Sequence, residues 1–218
     1  MNRFIKRETK IINLFFKIKI FLKDLIDKSI SFVLLILLSP LFILFAILIK
    51  IDSNGPVFFI QERVGKNGKL FKIIKFRTMI KEAEEKTKGI FINENNPYIT
   101  KIGKFLRRWS LDELPELINV LKGDMSLVGP RPTLKYQVEK YNEFQKKRLL
   151  MKPGITGWAQ INGRNKIPWE ERIKLDVWYI ENWSLLLDLK ILIKTLFIIF
   201  KKEEVFSDLK DDEIAKYK

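Results

Sequence analysis

The sequence of 218 residues contains no cysteine and no histidine. Without cysteine there is no disulfide framework and no thiol nucleophile, which fits a reducing compartment. Without histidine, a Ser-His-Asp triad and a histidine-ligated zinc site are also excluded. Any catalysis must therefore use carboxylates, hydroxyls, lysine or arginine. A catalytic metal held by such oxygen ligands would be a hard cation such as Mg²⁺.

Negative charge is scarce compared with positive charge. Asp and Glu number 26 against 41 Lys and Arg, which gives a formal net charge of +15. Such an excess indicates an anionic partner: nucleic acid, an anionic membrane surface or a phosphorylated substrate. No helix-turn-helix, zinc or RNA-binding signature is present, so a membrane-anchored nucleic-acid-binding protein is kept as an alternative only.

One apolar run without charge, residues 30–49, is about as long as a helix that crosses a bilayer. Pro40 in its middle removes a helical hydrogen bond, and the Ser39 hydroxyl can satisfy a backbone group freed there. Lysines flank the run on both sides, and positive flanks tend to stay cytoplasmic. The residues allow a re-entrant hairpin bent at Ser39 and Pro40, a kinked spanning helix, or a buried helix.

The remaining patterns predict a mainly α protein with one small β-hairpin, an α+β fold. Residues 1–28 predict a basic amphipathic helix, interfacial or simply solvated, and residues 56–79 predict the hairpin, with GKNGK as its turn. Further helices are predicted at 81–88, 100–108, 111–123, 136–150, 169–183 and 184–202, the last amphipathic and interfacial. The expected organisation is an interfacial segment (1–28), a broken membrane helix (29–50), a catalytic domain (51–202) and a charged tail (203–218).

Two carboxylates stand side by side, Asp112 and Glu113. One interpretation is structural: Ser110 and Glu113 form a capping box, or the helix starts later, with Pro115 in its first turn. The other is catalytic. A carboxylate beside a bound phosphate and Mg²⁺ can attack phosphorus, and a second carboxylate can accept a proton from an incoming group.

Several basic and amide side chains are candidate ligands for an anionic substrate. Arg107 lies just before the acid pair, and Arg131 lies between two prolines in GPRP, where a stiff backbone can aim its guanidinium at phosphate. Arg77 ends the second predicted strand. Gln160 and Arg164 lie in the loop PGITGWAQINGRN, which could bind a base or a sugar. The structural alternatives are a rigid turn with a surface arginine for Arg131 and a loop packed around a buried tryptophan for Gln160 and Arg164.

Taken in order, five segments resemble the monotopic phosphoglycosyl transferases, also called bacterial initiating sugar transferases. They are the broken apolar run, KFRTM, SLDELPELINVLKGDMSLVGPRP, KPGITGWAQINGRN and LDVWYIENWSLLLDLKIL. The resemblance runs from about Phe21 to Lys201, and the chain is similar to the minimal form of the family. It implies a monotopic membrane protein with a re-entrant helix hairpin, interfacial helices and a small cytoplasmic catalytic domain at the bacterial inner membrane.

The resemblance also implies a reaction. A sugar phosphate moves from a UDP-sugar to undecaprenyl phosphate through a covalent intermediate, UMP leaves, and Mg²⁺ is required. This is the first membrane step in the assembly of bacterial surface glycans or glycoproteins. Expected partners are the two substrates, the cytoplasmic leaflet, downstream glycosyltransferases and, as an option, a second copy of the chain; nucleic acid is not expected. The alternative within this pathway is a non-catalytic scaffold.

The family's residue roles carry over by motif. Asp112 matches the nucleophile and should lie near Mg²⁺, while Glu113 matches the second acid, which deprotonates or positions the polyprenyl phosphate. Arg107 matches an arginine that binds substrate phosphate, and Arg131 matches the arginine of the Pro-Arg-Pro loop. Arg77 occupies a basic position that is lysine in some members. The helix break is matched by Ser39 and Pro40.

Overall fold

The computed structural model describes residues 2–80, 83, 96–163 and 167–200, with side chains in these ranges from residue 16 to residue 199. It shows the mainly helical α+β fold that the sequence predicts. The helices are α1 (Asn2–Leu37), α2 (Ser39–Asp52), α3 (Lys101–Arg108), α4 (Glu116–Lys122), α5 (Lys135–Val138), α6 (Glu143–Lys146), α7 (Trp158–Ile161), α8 (Trp169–Glu181) and α9 (Leu185–Phe200). The strands are β1 (Phe58–Val64), β2 (Leu70–Phe76), β3 (Ser126–Val128) and β4 (Gly154–Thr156).

The apolar run is broken where the sequence predicts. α1 and α2 meet at Leu38 with a bend of 62°. Pro40 has no N–H to donate to the carbonyl of Ile36, four residues earlier, so the Ser39 hydroxyl donates to that carbonyl instead, at 2.8 Å. No single helix among the described residues is long and apolar enough to cross a bilayer. The bent pair reaches that length and composition only when its two arms are counted together.

Apolar side chains cover the outer faces of α1, α2 and α9. Phe21 on α1 is 68% exposed and Ile51 on α2 is 78% exposed. On α9 the exposed side chains recur at helical spacing and form one stripe: Leu186, Leu189, Ile193, Leu196 and Phe197. Exposed apolar surface of this extent is typical of a site that contacts a membrane or another protein. The predicted amphipathic and interfacial character of α9 stays a prediction.

The predicted β-hairpin is present and rests on α2. β1 and β2 pair antiparallel, from Phe58 opposite Phe76 to Val64 opposite Leu70. The Phe76 ring is buried against two rings of α2, with centroid distances of 5.1 Å to Phe42 and 5.8 Å to Phe45. Aromatic contacts of this kind stabilise a sheet beyond the area they bury. The hairpin and the second arm of the apolar run therefore form one packed unit.

A buried polar network joins α1 to the rest of the fold. Lys23 on α1 forms an ion pair with Asp188 on α9, with 2.6 Å between Nζ and Oδ2, and the Tyr179 hydroxyl donates to the other oxygen of Asp188 at 2.6 Å. The Ser126 hydroxyl of β3 donates to Asp27 of α1 at 2.5 Å. Buried charges need such partners because an unpaired charge in the interior is strongly destabilising.

One helix prediction is wrong here, and one pair of strands was not predicted. The single helix over residues 136–150 is broken into α5, α6 and a 3-10 turn (Lys147–Leu150), because the Asn142 side chain caps a new helix by accepting from the backbone N–H of Gln145 at 2.9 Å. The sequence also did not reveal the parallel pair of β3 and β4, which joins Ser126 to Gly154. Of the predicted helix at 81–88 only residue 83 is described, and the tail 203–218 lies outside the described residues.

Candidate active site

The acid pair lies on a 3-10 turn, Leu111–Glu113, at the wall of a cavity of about 1030 Å³. Ser110, just before this turn, has a φ of 55° in the left-handed region, and its side chain makes no capping hydrogen bond. The capping box is therefore wrong. The main helix starts later, at Glu116, with Pro115 directly before it. The short turn between α3 and α4 holds both acids at the cavity.

Glu113 is fixed between two cations. Its Oε1 accepts from Nζ of Lys75 at 2.6 Å and from Nη2 of Arg131 at 2.8 Å. Burial alone would raise the pKa of Glu113, but the charges of Arg131 and Lys75, with their hydrogen bonds, hold it well below its usual range. Glu113 is therefore ionised at neutral pH, and one of its oxygens is already occupied.

Asp112 is in the opposite situation. It is half-buried, and in the part of the chain that the structure describes its carboxylate makes no hydrogen bond or ion pair. Burial and the neighbouring charge of Glu113 raise its pKa, and the charges of Lys75, Arg107 and Arg131 partly offset the rise. The two adjacent acids thus differ: one is held by cations, and the other is free to meet a ligand.

Two of the predicted arginines lie beside these acids. Arg131 comes from the loop after β3 and reaches Glu113. Arg107 lies in the last turn of α3, where its Nε donates to the Thr78 hydroxyl at 2.8 Å. That is its one hydrogen bond within the described residues, so its terminal nitrogens remain for a ligand. A pair of guanidinium groups around a free carboxylate is suited to a phosphorylated substrate.

Arg77 lines the same cavity, but its guanidinium is committed to the backbone of the apolar helix. Nη2 donates to the carbonyls of Ser53 at 2.7 Å and Ile49 at 3.3 Å, and Nη1 donates to the carbonyl of Asn54. A Cβ at Gly55 would collide with this guanidinium, so the residue there must be glycine. Arg77 caps the C-terminus of α2, where four carbonyls lack helical partners. The predicted contact with substrate is untested and stays a prediction.

Lys75 and Glu116 are site residues that the sequence reading missed. Nζ of Lys75 lies 3.1 Å from Oε1 of Glu116, which is buried beside the acid pair. Burial raises the pKa of Glu116 to about 7 against the lowering effect of Lys75. The contact depends on Asn119 of α4, whose side chain accepts from the Ile74 N–H at 3.0 Å and donates to the Lys72 carbonyl at 2.7 Å. The available signal was Lys75 itself, which is the first residue of KFRTM near the end of the second predicted strand.

Gln160 lies on the cavity wall, as a ligand-binding residue would. Its amide nitrogen and oxygen are both buried, and neither has a hydrogen-bond partner among the described residues. A buried amide without partners is unfavourable unless a ligand or water meets it. Arg164, the other predicted ligand of this loop, lies outside the described residues.

The wall of the cavity carries both charged and aliphatic side chains. The aliphatic ones come from several elements. These include Leu34 and Leu38 at the bend of α1 and Leu192, Leu196 and Ile199 on α9. The site can therefore take a molecule with an anionic head and an apolar chain.

A Mg²⁺ ion at this site would need oxygen ligands from the protein and the substrate. The described residues contain no group of three or more acidic side chains arranged around one point. Mg²⁺ commonly binds one or two protein carboxylates and completes its shell with water and substrate phosphates. The free carboxylate of Asp112 beside Arg107 fits an ion of this kind, completed by the substrate.

The acids, the arginines and the cavity together form the candidate active site. The family model described as bacterial sugar transferase matches residues 18–202, most of the chain. The protein belongs to the bacterial sugar transferase family. The predicted family and the predicted class of enzyme are thereby confirmed.

Individual relatives agree with this assignment. The sugar transferase EpsL of Bacillus subtilis, uncharacterised, is 49% identical over 80% of this chain and 85% of its own length. The undecaprenyl-phosphate galactose phosphotransferase of Salmonella typhimurium is 40% identical over 85% of this chain and 42% of its own length. The undecaprenyl-phosphate glucose phosphotransferase of Komagataeibacter xylinus is 42% identical over 85% of this chain and 36% of its own length. The chain thus spans less than half the length of the two named phosphotransferases.

Proposed function

We propose that this protein transfers a sugar phosphate from a UDP-sugar to undecaprenyl phosphate, with release of UMP. The observation that carries the proposal is that the two acids are held differently. Glu113 accepts hydrogen bonds from Lys75 and Arg131, while the adjacent Asp112 makes no such contact among the described residues and lines the cavity. Relatives named as galactose and glucose phosphotransferases of undecaprenyl phosphate support the choice of substrates.

In the first step a carboxylate oxygen of Asp112 attacks the phosphorus that carries the sugar. A bond forms between this oxygen and phosphorus, and the bond from that phosphorus to the bridging oxygen of the diphosphate breaks. UMP leaves with the bridging oxygen and its electron pair, so the sugar phosphate is held on Asp112 as an acyl phosphate. Arg107 supplies positive charge where charge develops on the phosphoryl oxygens.

In the second step an oxygen of the lipid phosphate attacks the same phosphorus. The new diphosphate bond forms as the bond to Asp112 breaks, and the carboxylate is regenerated. Glu113 holds Arg131 and Lys75 in place for the incoming phosphate. Of the two roles predicted for Glu113, its contacts favour positioning over deprotonation, because an acid already neutralised by two cations is a weak base.

Asp112, with the phosphate oxygens of the donor, would hold Mg²⁺, which would add positive charge against the developing phosphate charge. The remaining electrostatic stabilisation comes from the arginines. Gln160 offers a free amide to a hydroxyl or carbonyl of the donor. Nothing in these residues selects one sugar over another.

The proposal includes a monotopic arrangement at the cytoplasmic face of the bacterial inner membrane, with α1 and α2 as a re-entrant pair. Its support is the 62° bend, the exposed apolar side chains, and basic residues on both flanks such as Lys28 and Lys50. Because the native chain has no cysteine, Lys19→Cys and Lys69→Cys test the topology. Protection of both from a membrane-impermeant reagent in intact cells is expected, and labelling of one alone would refute the hairpin.

UMP release tests the reaction. Purified protein in nanodiscs would be given undecaprenyl phosphate, Mg²⁺ and a panel of UDP-sugars. One sugar should yield UMP, and Asp112→Asn should abolish it, whereas Asp124→Asn, a matched acid outside the site, should not. A folded wild-type protein that is silent with every sugar would instead support the non-catalytic scaffold.

A further inference from the structure

The loop that carries Arg131 is held by backbone hydrogen bonds on both sides of that residue. The Pro130 carbonyl accepts from the Gly154 N–H at 3.0 Å, and the Thr133 carbonyl accepts from the Val64 N–H at 2.9 Å. Proline on both sides of Arg131 limits its backbone freedom further. The carbonyl of Arg131 itself accepts from a side chain.

That side chain is Arg148, which is 4% exposed and lies on the 3-10 turn after α6. Its Nη2 donates to the Arg131 carbonyl at 3.2 Å. The same guanidinium has two further partners: Nε and Nη2 lie 2.9 Å and 2.6 Å from Oδ2 of Asp176, and Nη1 donates to the Tyr141 hydroxyl at 2.6 Å. Its Cζ also lies 5.0 Å from the centre of the Trp169 ring. Few surface arginines are constrained in this way.

Tyr141 extends the same contact to the loop. Its hydroxyl, which accepts from Arg148, donates to the Thr133 hydroxyl at 3.3 Å. The guanidinium is therefore linked to the loop twice, directly at Arg131 and through the phenol at Thr133. None of these atoms reaches the acid pair. Arg148 also lines the cavity, so direct contact with a ligand is the alternative to an effect through Arg131.

We propose that Arg148, anchored by Asp176 and Tyr141, is a positioning residue that sets the orientation of Arg131 toward Glu113 and the substrate phosphate. A planar guanidinium is required because its nitrogens must donate hydrogen bonds to a carboxylate, a phenol and a carbonyl at the same time. Lysine has one charged nitrogen and cannot reach all three. This inference rests on the proposed function, since the orientation of Arg131 matters only for an anionic substrate.

The test is a double-mutant comparison in the UMP-release assay, with the UDP-sugar that the wild type uses. Arg148→Lys should lower kcat/KM on the order of 10²-fold, the size of effect that a small misplacement of a charged group produces. Tyr141→Phe should give a smaller loss in the same direction. In an Arg131→Gln background, Arg148→Lys should change kcat/KM by less than about threefold, because the group it positions is already gone.

Lys147→Met is the matched control, since Lys147 precedes Arg148 on the same turn and forms an exposed ion pair with Glu181. It should leave kcat/KM within about twofold. A loss from Arg148→Lys that is equally large in the Arg131→Gln background would overturn the proposal, since it would show a general structural role. Full activity of Arg148→Lys would overturn it as well.

A readout without substrate separates this inference from the proposed reaction. Hydrogen–deuterium exchange should become faster in the peptide 129–134 of Arg148→Lys while the peptide 111–117 is unchanged. Unchanged exchange at 129–134 would refute the positioning role, whatever the activity. Faster exchange there in a protein that releases no UMP from any sugar would refute the proposed reaction and leave the link between Arg148 and the loop intact.

Discussion

Glu116 makes the stability of the protein depend on pH, and the burial of this acid sets the sign and the size of the effect. It is 2% exposed, and its pKa rises from an ordinary 4.5 to about 7 because burial disfavours the charged form. Below pH 4.5 the acid is protonated in both the folded and the unfolded chain. As pH rises toward 7 the unfolded chain loses this proton first, so folding becomes less favourable. Since one pKa unit is worth about 1.4 kcal/mol, Glu116 should remove about 2–3 kcal/mol of stability between pH 5 and pH 8.

The comparison variant is Glu116→Gln, which keeps the shape of the side chain and an oxygen for Lys75 but does not ionise. Other buried acids titrate in both proteins and cancel in the difference. For a chain of this size a change of about 2–3 kcal/mol corresponds to a shift of about 4–12 °C in Tm. Followed by tryptophan fluorescence in detergent micelles, the Tm of the wild type should fall by that much more than the Tm of Glu116→Gln from pH 5 to pH 8. Parallel curves would show that Glu116 is ionised throughout, and the reasoning from burial would be wrong.

Three further outcomes follow from contacts described above. Arg77→Lys removes most of the hydrogen bonds to the end of α2, so Tm should fall by several degrees while KM for the UDP-sugar stays unchanged; a raised KM at unchanged Tm would show instead that Arg77 binds substrate. Gly103→Ala places a Cβ against the Thr78 carbonyl, so it should lower both Tm and kcat, and a fully active, stable variant would refute that contact. Ser39→Ala leaves the Ile36 carbonyl without its donor and should lower stability by about 1 kcal/mol in denaturation experiments, with UMP release retained; no change would mean that another group satisfies the carbonyl.

The features that were predicted correctly depend on residues that are adjacent in the sequence. Ser39 and Pro40 mark the bend because proline lacks the N–H that the helix needs. Gly123 ends α4 with a φ of 84°, which glycine adopts without strain. The hairpin follows from two β-type runs joined by GKNGK. In each case the signal and its consequence lie within a few residues of one another.

The features that were missed depend on distant partners. Lys75 meets Glu113 across 38 positions of sequence, and only the packing of α4 on β2 through Asn119 brings them together. The capping box was predicted because Ser110 and Glu113 have the right spacing. It fails because Lys75 and Arg131 are stronger partners for the carboxylate than a backbone N–H is. Strands β3 and β4 have three residues each, too few for a period to be seen.

The way in which Arg77 holds α2 has a consequence for how the sequence of the apolar helix can change. Its guanidinium recognises carbonyl oxygens of Ile49, Ser53 and Asn54, and every residue type carries such an oxygen. This joint therefore does not depend on the exposed side chains of α2, as long as Gly55 leaves room for the guanidinium. A chimera that keeps Phe42, Phe45 and Asp52 but carries other apolar side chains on the exposed face of α2 should dock in the same register. The exposed apolar surface could be altered in this way while the geometry of the acid pair is kept.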